Sequence, residues 1–188
     1  RLFLKGINKP SFELFQNGLG YNNLLFISTV LGDMSLAQED ILLNLLLAEE
    51  PEAHLHPQLQ SLIYQFFKEQ IENSSKLQII FTTHSPTLTS QLKVDTINVV
   101  CNYSNQMQCF SIVDSNLNDS EKYYLEKYLD VTKSQMLFSR GILLVEGISE
   151  ALLIPIFAKI LNRDLTTYAV EIVNVDGTAF SPFANVLC

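Results

Sequence analysis

Residues 44–60 read NLLLAEEPEAHLHPQLQ, and the rest of the chain is interpreted from this stretch. An apolar run leads directly into two adjacent carboxylates, Glu49 and Glu50, and then into a proline, a third acid and a new helical pattern. A buried strand that ends in paired acids is suited to bind a hydrated divalent cation and to polarise a water molecule. A core strand followed by a solvated acidic turn would give the same letters, so this stretch alone leaves both interpretations open.

The composition limits the classes of function. With 188 residues, 47% of them hydrophobic, the chain can bury a core in one or two domains. The net charge is -8, and no basic stripe with interleaved aromatics marks a surface for nucleic acid. Contacts with nucleic acid would therefore need metal ions or parts outside this sequence. Three unevenly spaced cysteines fit a reducing, cytoplasmic compartment, and no apolar run is long enough to predict a membrane span.

Alternating strand and helix patterns predict an α/β fold. Apolar runs predict buried strands over residues 41–48, 77–81 and 141–145. Further strands are predicted over 96–101, 109–113 and 168–175. Periodic apolar positions predict helices over 22–31, 57–72 and 121–129, and a further helix after residue 149. We expect Gly32 to end the first helix, Ser85 and Ser149 to cap helices, and Pro155 to kink the last helix or displace its start. A polar, turn-rich segment at 114–120 predicts a boundary between two domains.

Polar side chains follow two successive predicted strands. Glu49 and Glu50 end one strand, and His84 comes just after the next. Ligands bind at the carboxyl ends of strands in open α/β sheets. Three such side chains would form a site that can hydrolyse a phosphate bond. One carboxylate would hold the waters of magnesium, the second would orient a nucleophilic water, and the histidine would lie near a terminal phosphate. A histidine after a strand is more often structural, so the neighbouring acids are what favour a functional His84.

These motifs resemble segments of ABC-type ATPases of the RecF and SMC class. Residues 44–60 resemble the Walker B and D-loop segment, and TTHSP at 82–86 resembles the switch-histidine segment. The resemblance implies that Glu49 assists the magnesium ion, that Glu50 polarises the attacking water and that His84 senses the γ-phosphate. Glu49 departs from the wider family, in which this position is usually aspartate.

The turn GLGYNN at 18–23 is similar to a degenerate signature motif of the same class. By that resemblance Gly18 and Gly20 would contact ATP bound to an opposing protomer, which implies a homodimer or a higher homo-oligomer. His54 and His56 fall in the D-loop, and we interpret them as interface or packing residues rather than metal ligands.

GILLVEGISE at 141–150 resembles the first motif of a Toprim domain. Glu146 would end a strand and Glu150 would lie in the first turn of the next helix, so that both face one Mg²⁺ or Mn²⁺ site for phosphodiester cleavage. The alternative is that Glu150 pairs with the helix dipole and Glu146 is an ordinary turn acid. VNVDGTAFSPF resembles the second Toprim strand and turn, but it assigns no metal role to Asp176.

An ABC-type ATPase lobe followed by a Toprim domain resembles the OLD (overcoming lysogenization defect) family of ATP-dependent endonucleases. We therefore expect the C-terminal ATPase lobe over 1–116, a helical linker over 117–140 and the start of the Rossmann-like Toprim domain over 141–188. The resemblance implies ATP and Mg²⁺ (or Mn²⁺) as cofactors, DNA as substrate, a possible partner protein, no membrane, and a role in phage defence or DNA processing.

No GxxxxGK[ST] phosphate loop and no later DxD motif occurs in the sequence. We therefore expect the chain to be a piece of a longer protein, and by itself neither to hydrolyse ATP nor to cut DNA. Two other functions stay open at this point. One is a RecF- or SMC-like DNA-repair ATPase without nuclease activity. The other is a regulatory or partner-binding module switched by nucleotide.

Overall fold

The computed structural model describes residues 3–5, 11–13, 18–36, 42–103 and 105–186, and the fold is given for these residues. The chain divides into two compact units, Arg1–Leu88 and Thr89–Cys188. Each unit is described by itself. Among the described residues, no helix has the length and apolar character needed to cross a membrane.

The first unit is built around a β-α-β element. Its elements are β1 (Phe3–Lys5), β2 (Ser11–Glu13), α1 (Leu19–Leu36), β3 (Asn44–Glu49), α2 (Pro57–Glu72), β4 (Leu77–Thr82) and α3 (Pro86–Thr89). β1 and β2 pair antiparallel, whereas β3 and β4 pair parallel, from Asn44 opposite Leu77 to Glu49 opposite Thr82. Because the two strands run in the same direction, the acids after β3 and the polar residues after β4 lie at one edge of the sheet.

The core of the first unit forms where α1 and α2 pack on one face of this strand pair. Buried apolar side chains come from both helices and both strands, including Leu31, Leu46, Ile63, Phe67 and Leu77. On the other face Leu47 and Ile80 are 68% and 59% exposed. The prediction of a buried strand over 41–48 is therefore wrong for the described residues of β3, since helices cover only one of its two faces.

Several boundaries in the first unit match the sequence. The helix over 57–72 is confirmed, and β4 extends the predicted strand by one residue. Ser85 caps α3 as predicted, because the Leu88 N–H donates to its Oγ at 3.2 Å. The first predicted helix is wrong in extent, since α1 covers 19–36 and contains Gly32. A single glycine inside a helix costs only about 1 kcal/mol, and the apolar face continues past it through the half-buried Met34.

The second unit contains a β-hairpin and a second β-α-β element. Its strands and helices are β5 (Asn98–Tyr103), β6 (Gln106–Ser111), α4 (Asp119–Tyr128), α5 (Val131–Ser134), β7 (Gly141–Val145), α6 (Ile148–Ile160), β8 (Val170–Asn174) and α7 (Phe180–Asn185). β5 and β6 pair antiparallel, and β7 and β8 pair parallel with Val145 opposite Asn174. Its core includes the fully buried Val94, Leu125, Met136, Val173 and Phe183.

The division into units differs from the predicted domain boundary. Val94, Ile97 and Ile112, which fall in the predicted ATPase lobe, share a core with Val173 and Phe183. Residues 89–116 therefore pack with the second unit here. The assignment of 1–116, 117–140 and 141–188 to family domains stays a prediction.

Four boundaries in the second unit differ from the prediction. The hairpin strands are displaced because residues 94–96 and 112–114 form 3-10 turns at their outer ends. The helix predicted from residue 121 begins at Asp119, where Asn118 and Glu121 form a capping box. Residues 165–168 form a further 3-10 turn before β8.

The helix after β7 also differs from the prediction in its start and its packing. Gly147, and not Ser149, is its N-cap, and Pro155 lies inside the helix without displacing its start. The apolar face predicted for this helix is uncovered by the described residues. Its members are 47% to 71% exposed: Leu152, Leu153, Ile156, Phe157, Ile160 and Leu161.

Candidate functional site

The turn that carries the paired acids is fixed by the neighbouring strand. Glu49 is the last residue of β3 and lies opposite Thr82. Glu50 has a left-handed backbone with a φ of 42°, which costs a residue with a side chain about 1–2 kcal/mol. Its N–H donates to the Thr82 carbonyl at 3.1 Å and to the Thr82 Oγ1 at 3.3 Å. These bonds to the end of β4 set the direction in which the Glu50 carboxylate leaves the sheet.

The structure brings two predicted catalytic residues together. The Oε1 of Glu50 lies 3.6 Å from the Nε2 of His84, and the two side chains are 47% and 81% exposed. Glu49 is exposed beside them. An exposed pair at this distance contributes little to the stability of the fold. Because both side chains face solvent, a ligand can reach them without any rearrangement of the core. The individual roles of Glu49, Glu50 and His84 stay predictions.

A third acid of the same turn was missed as a site residue. Glu52 is only 7% exposed. Its Oε1 accepts hydrogen bonds from the Thr83 Oγ1 at 2.5 Å and from the His84 N–H at 3.1 Å. Its Oε2 is buried and has no hydrogen-bond partner among the described residues. The signal in the sequence was an acid between Pro51 and an apolar position, but its hydrogen-bond donors lie 31 and 32 residues further along the chain.

A shallow cleft of about 430 Å³ lies between the turn after β3 and the segment after β4. Glu52, His54, Gln60 and His84 are among the residues that line it. The Ser85 hydroxyl donates to the Gln60 Oε1 at 2.6 Å and so joins the two walls. His54 is exposed with a φ of 64°. The cleft is therefore open to solvent, and it combines these polar side chains with apolar ones such as Leu55 and Pro86.

His56 has a structural contact of its own. It is the N-cap of α2, and its Nδ1 accepts from the Gln58 N–H at 3.4 Å. An N-cap acceptor satisfies one of the N–H groups that the first turn of a helix leaves without a partner. This contact agrees with the interpretation of His56 as a packing residue rather than a metal ligand.

The two predicted signature glycines have different surroundings. Gly18 is exposed before α1, and a Cβ placed on it would meet nothing within 4 Å. Gly20 is buried, and a Cβ there would lie 2.6 Å from the His54 carbonyl oxygen and 2.7 Å from the Leu55 Cδ2. Close packing within the chain therefore explains the glycine at position 20. The contact of Gly18 and Gly20 with ATP of an opposing protomer stays a prediction.

The second acidic site lies at the tip of β7. Glu146 follows the strand and Glu150 lies in the first turn of α6, and both are exposed. The Glu150 Oε2 lies 3.3 Å from the position that a Cβ on Gly147 would take, so this carboxylate folds back over the start of α6. The Gly177 N–H donates to the Glu146 carbonyl at 2.9 Å, which brings the turn after β8 to the same edge.

The donor set at this edge fits a hard divalent cation in a partly hydrated form. Among the described residues, no group of three or more histidine, cysteine, aspartate or glutamate side chains is placed to hold a metal ion. Mg²⁺ retains several of its waters and needs only one or two carboxylates from a protein. Glu146 and Glu150 can supply those carboxylates, and their role as metal ligands stays a prediction.

Both carboxylate oxygens of Asp176 accept hydrogen bonds from side chains of the second unit. Its Oδ2 accepts from the Lys133 Nζ at 3.1 Å, and its Oδ1 accepts from the Asn174 Nδ2 at 2.7 Å. The Lys133 side chain is only 10% exposed and also contacts Asp130 at 3.2 Å. Burial lowers the pKa of Lys133, but the hydrogen bonds to Asp176 and Asp130 outweigh it and raise that pKa above its usual value. Asp176 therefore belongs to a charged cluster that anchors the turn after β8.

Comparisons with known proteins match two separate parts of the chain to two families. Residues 3–89 match the family described as AAA ATPase domain. Residues 137–188 match the family described as overcoming lysogenization defect protein-like, TOPRIM domain. These two matches, in this order, confirm the resemblance to the OLD family and the α/β fold class of an ATPase lobe followed by a Toprim domain.

Two curated relatives have nuclease names. Endonuclease GajA of Bacillus cereus is 29% identical over 198 residues, which covers 92% of this chain and 29% of that protein. The OLD nuclease of Thermus scotoductus is 27% identical over 143 residues, which covers 73% of this chain and 26% of that protein. The chain thus spans less than a third of the length of the curated relatives it matches.

A solved structure from work on ATP-driven dimerization and DNA-stimulated activation of SMC ATPases also aligns with the chain. The alignment covers 66% of this chain and 69% of that one, with a TM-score of 0.47 and 16% identity. A similarity of this size supports no inference about function.

Proposed function

Because the chain joins part of an AAA ATPase domain to part of an OLD-like Toprim domain, we propose that it belongs to an ATP-dependent DNA endonuclease. In this proposal the first unit supplies half of an ATP-hydrolysing site and the second supplies part of a metal-dependent nuclease site. The observation that carries the proposal is the approach of Glu50 to His84 at 3.6 Å beside Glu49, at one edge of a parallel strand pair.

The roles within the ATPase half follow from the chemistry of these side chains. Glu50 accepts hydrogen bonds from a water and orients it toward the terminal phosphate, and His84 donates to the phosphate oxygens or to that water. Glu49 holds waters of a magnesium ion, which when bound would neutralise charge on the phosphates. The phosphate-cradling loop and the second protomer's Gly18 and Gly20 would complete the site, so the proposal includes a homodimer or a higher homo-oligomer.

The roles within the nuclease half rest on Glu146 and Glu150. Both carboxylates lie at the tip of β7, where they would hold Mg²⁺ or Mn²⁺ and orient a water toward a DNA phosphodiester. With a chain charge of -8, the metal would also offset repulsion between these acids and the DNA backbone. We further propose a cytoplasmic location, a role in phage defence or DNA processing, and contact with a further protein.

Two substitutions in the whole protein separate the two activities. Glu146→Ala is expected to abolish metal-dependent nicking of plasmid DNA and to leave ATP hydrolysis unchanged. Glu50→Gln is expected to reduce ATP hydrolysis by about 100-fold or more, since it removes a general base. Nicking should stay in place, because this variant still binds ATP and the proposed dependence is on bound ATP. Glu69→Ala, an exposed acid on α2, is the matched control and should change neither activity.

The other outcomes identify the alternatives. ATP hydrolysis without nicking under Mg²⁺, Mn²⁺ or Ca²⁺ would indicate a repair ATPase of the RecF or SMC kind. ATP binding without turnover, together with a tightly bound partner protein, would indicate a nucleotide-switched module. Either result would overturn the proposed endonuclease.

A further inference from the structure

Glu52 differs from the two acids before it in its burial. Glu49 and Glu50 face solvent, whereas Glu52 is 7% exposed in the same turn. Burial of a carboxylate is costly unless donors replace the water that it loses. Two donors do so here, and both belong to the segment after β4 rather than to the turn itself.

The hydrogen bonds of Glu52 determine the path of the backbone on both sides of His84. Its Oε1 accepts from the Thr83 hydroxyl and from the His84 N–H, at 2.5 and 3.1 Å. The Thr83 Oγ1 in turn accepts from the Ser85 N–H at 3.0 Å. One carboxylate oxygen therefore holds Thr83 and His84 directly and Ser85 through the Thr83 hydroxyl, and His84 is the residue in the middle.

The same histidine meets Glu50 through its side chain. The His84 ring is 81% exposed, so packing does little to hold it. Its main chain is instead fixed by Glu52, and its Nε2 lies 3.6 Å from Glu50, two residues before Glu52 in the chain. The Glu52 Oε2 has no partner within the described part of the chain, so by those contacts this buried carboxylate is an inefficient source of stability. The burial of Glu52 is better explained by its effect on His84, whose main chain it holds in place.

We propose that Glu52 is a positioning residue that fixes the main chain of His84 and so presents the imidazole to Glu50. The proposal rests on the proposed function, because the reaction being positioned is ATP hydrolysis. It assigns to Glu52 no contact with nucleotide or metal. Its consequence is that loss of Glu52 should affect turnover more than binding of ATP.

The first measurement is amide hydrogen exchange in the chain 1–188. In Glu52→Ala the His84 amide loses its acceptor and should exchange roughly tenfold faster or more, whereas the amide of Ile80, which faces β3 in the parallel ladder, keeps its protection. Glu52→Gln retains an acceptor oxygen and should keep the His84 amide within about twofold of wild type. If Glu52→Ala does not fold, Thr83→Val provides a milder test, and Thr83→Ser keeps the hydroxyl as its control.

The second measurement is steady-state ATP hydrolysis by the whole protein. Glu52→Ala should lower kcat by about tenfold and change KM for ATP by less than about twofold, and Glu52→Gln should restore most of kcat. Glu69→Ala again serves as the control. Equal losses in kcat and in ATP affinity, or a Glu52→Gln variant as impaired as Glu52→Ala, would contradict a positioning role.

The two measurements distinguish failure of this inference from failure of the proposed function. If the His84 amide in Glu52→Ala stays protected and kcat is unchanged, Glu52 does not position His84. If the His84 amide loses protection but the wild-type whole protein hydrolyses no ATP, Glu52 holds the segment for another purpose. In that case the ATPase function and the catalytic part of this inference both fail.

Discussion

Replacing Gly20 with alanine tests whether α1 packs against residues 54–55 as the structure shows. An added Cβ would lie 2.6 Å from the His54 carbonyl oxygen and 2.7 Å from the Leu55 Cδ2, both inside van der Waals contact. The carbonyl belongs to the backbone and cannot rotate away, and the Leu55 side chain is buried. The clash must therefore be relieved by moving α1 or residues 54–55.

The size of the effect follows from two opposing contributions. Inserting a methyl group into a closely packed site costs about 1–3 kcal/mol. Alanine also gains up to about 1 kcal/mol over glycine inside a helix, and Gly20 lies in the first turn of α1. The net loss is expected to be about 1–2 kcal/mol, which corresponds to a fall in Tm of about 4–16 °C for a unit of the size of Arg1–Leu88.

Gly18→Ala is the matched control, because its Cβ would meet nothing within 4 Å. Thermal unfolding followed by circular dichroism gives Tm, and hydrogen exchange of β3 and β4 amides assigns the loss to the first unit. A Gly20→Ala chain as stable as Gly18→Ala would show that the close approach of α1 to residues 54–55 is wrong. If both chains are stable but only Gly18→Ala lowers ATP turnover in the whole protein, the ATP contact belongs to Gly18 alone.

Two further predictions concern the second unit. Lys133→Met should lower the free energy of unfolding by about 1–2 kcal/mol. This loss is smaller than the one expected for a fully buried ion pair, because the carboxylates of Asp130 and Asp176 are 56% and 66% exposed. Partial burial raises the pKa of Asp130, but hydrogen bonds from Lys133 outweigh it and lower that pKa below 3.8. The difference in the free energy of unfolding between wild type and Lys133→Met should therefore be fully present above pH 3.8 and shrink as the pH falls through the folded-state pKa of Asp130. A difference that is unchanged at pH 2 in urea titrations would contradict this. Asn118→Ala removes the acceptor for the Glu121 N–H and should cost about 1 kcal/mol in urea unfolding, whereas the exposed Asn116→Ala should cost almost nothing.

The parts of the fold that were predicted correctly depend on local patterns. Pro57 and the apolar residues that follow it at helical spacing define α2 without any knowledge of its neighbours. The run of apolar residues over 141–145 and the acid after it define β7 in the same way. The pairing of Glu50 with His84 was also predictable, because parallel strands carry their carboxyl ends to one edge.

The features that were missed depend on contacts between distant parts of the chain. Glu52 is buried because Thr83 and His84 approach it, and nothing next to it in sequence announces those donors. Gly20 is required by residues 54–55 and not by a turn of its own. Asn118 was the exception, since Asn-x-x-Glu is a local capping signal that predicts where α4 begins.

Single-turnover ATP hydrolysis by the whole protein carrying Glu50→Gln tests the central assignment most directly. This variant should bind ATP with unchanged affinity and hydrolyse it about 100-fold more slowly or worse, because an amide in place of the carboxylate 3.6 Å from His84 cannot accept a proton from water. A Glu50→Gln protein that hydrolyses bound ATP at the wild-type rate would show that the acids after β3 do not form the hydrolytic site.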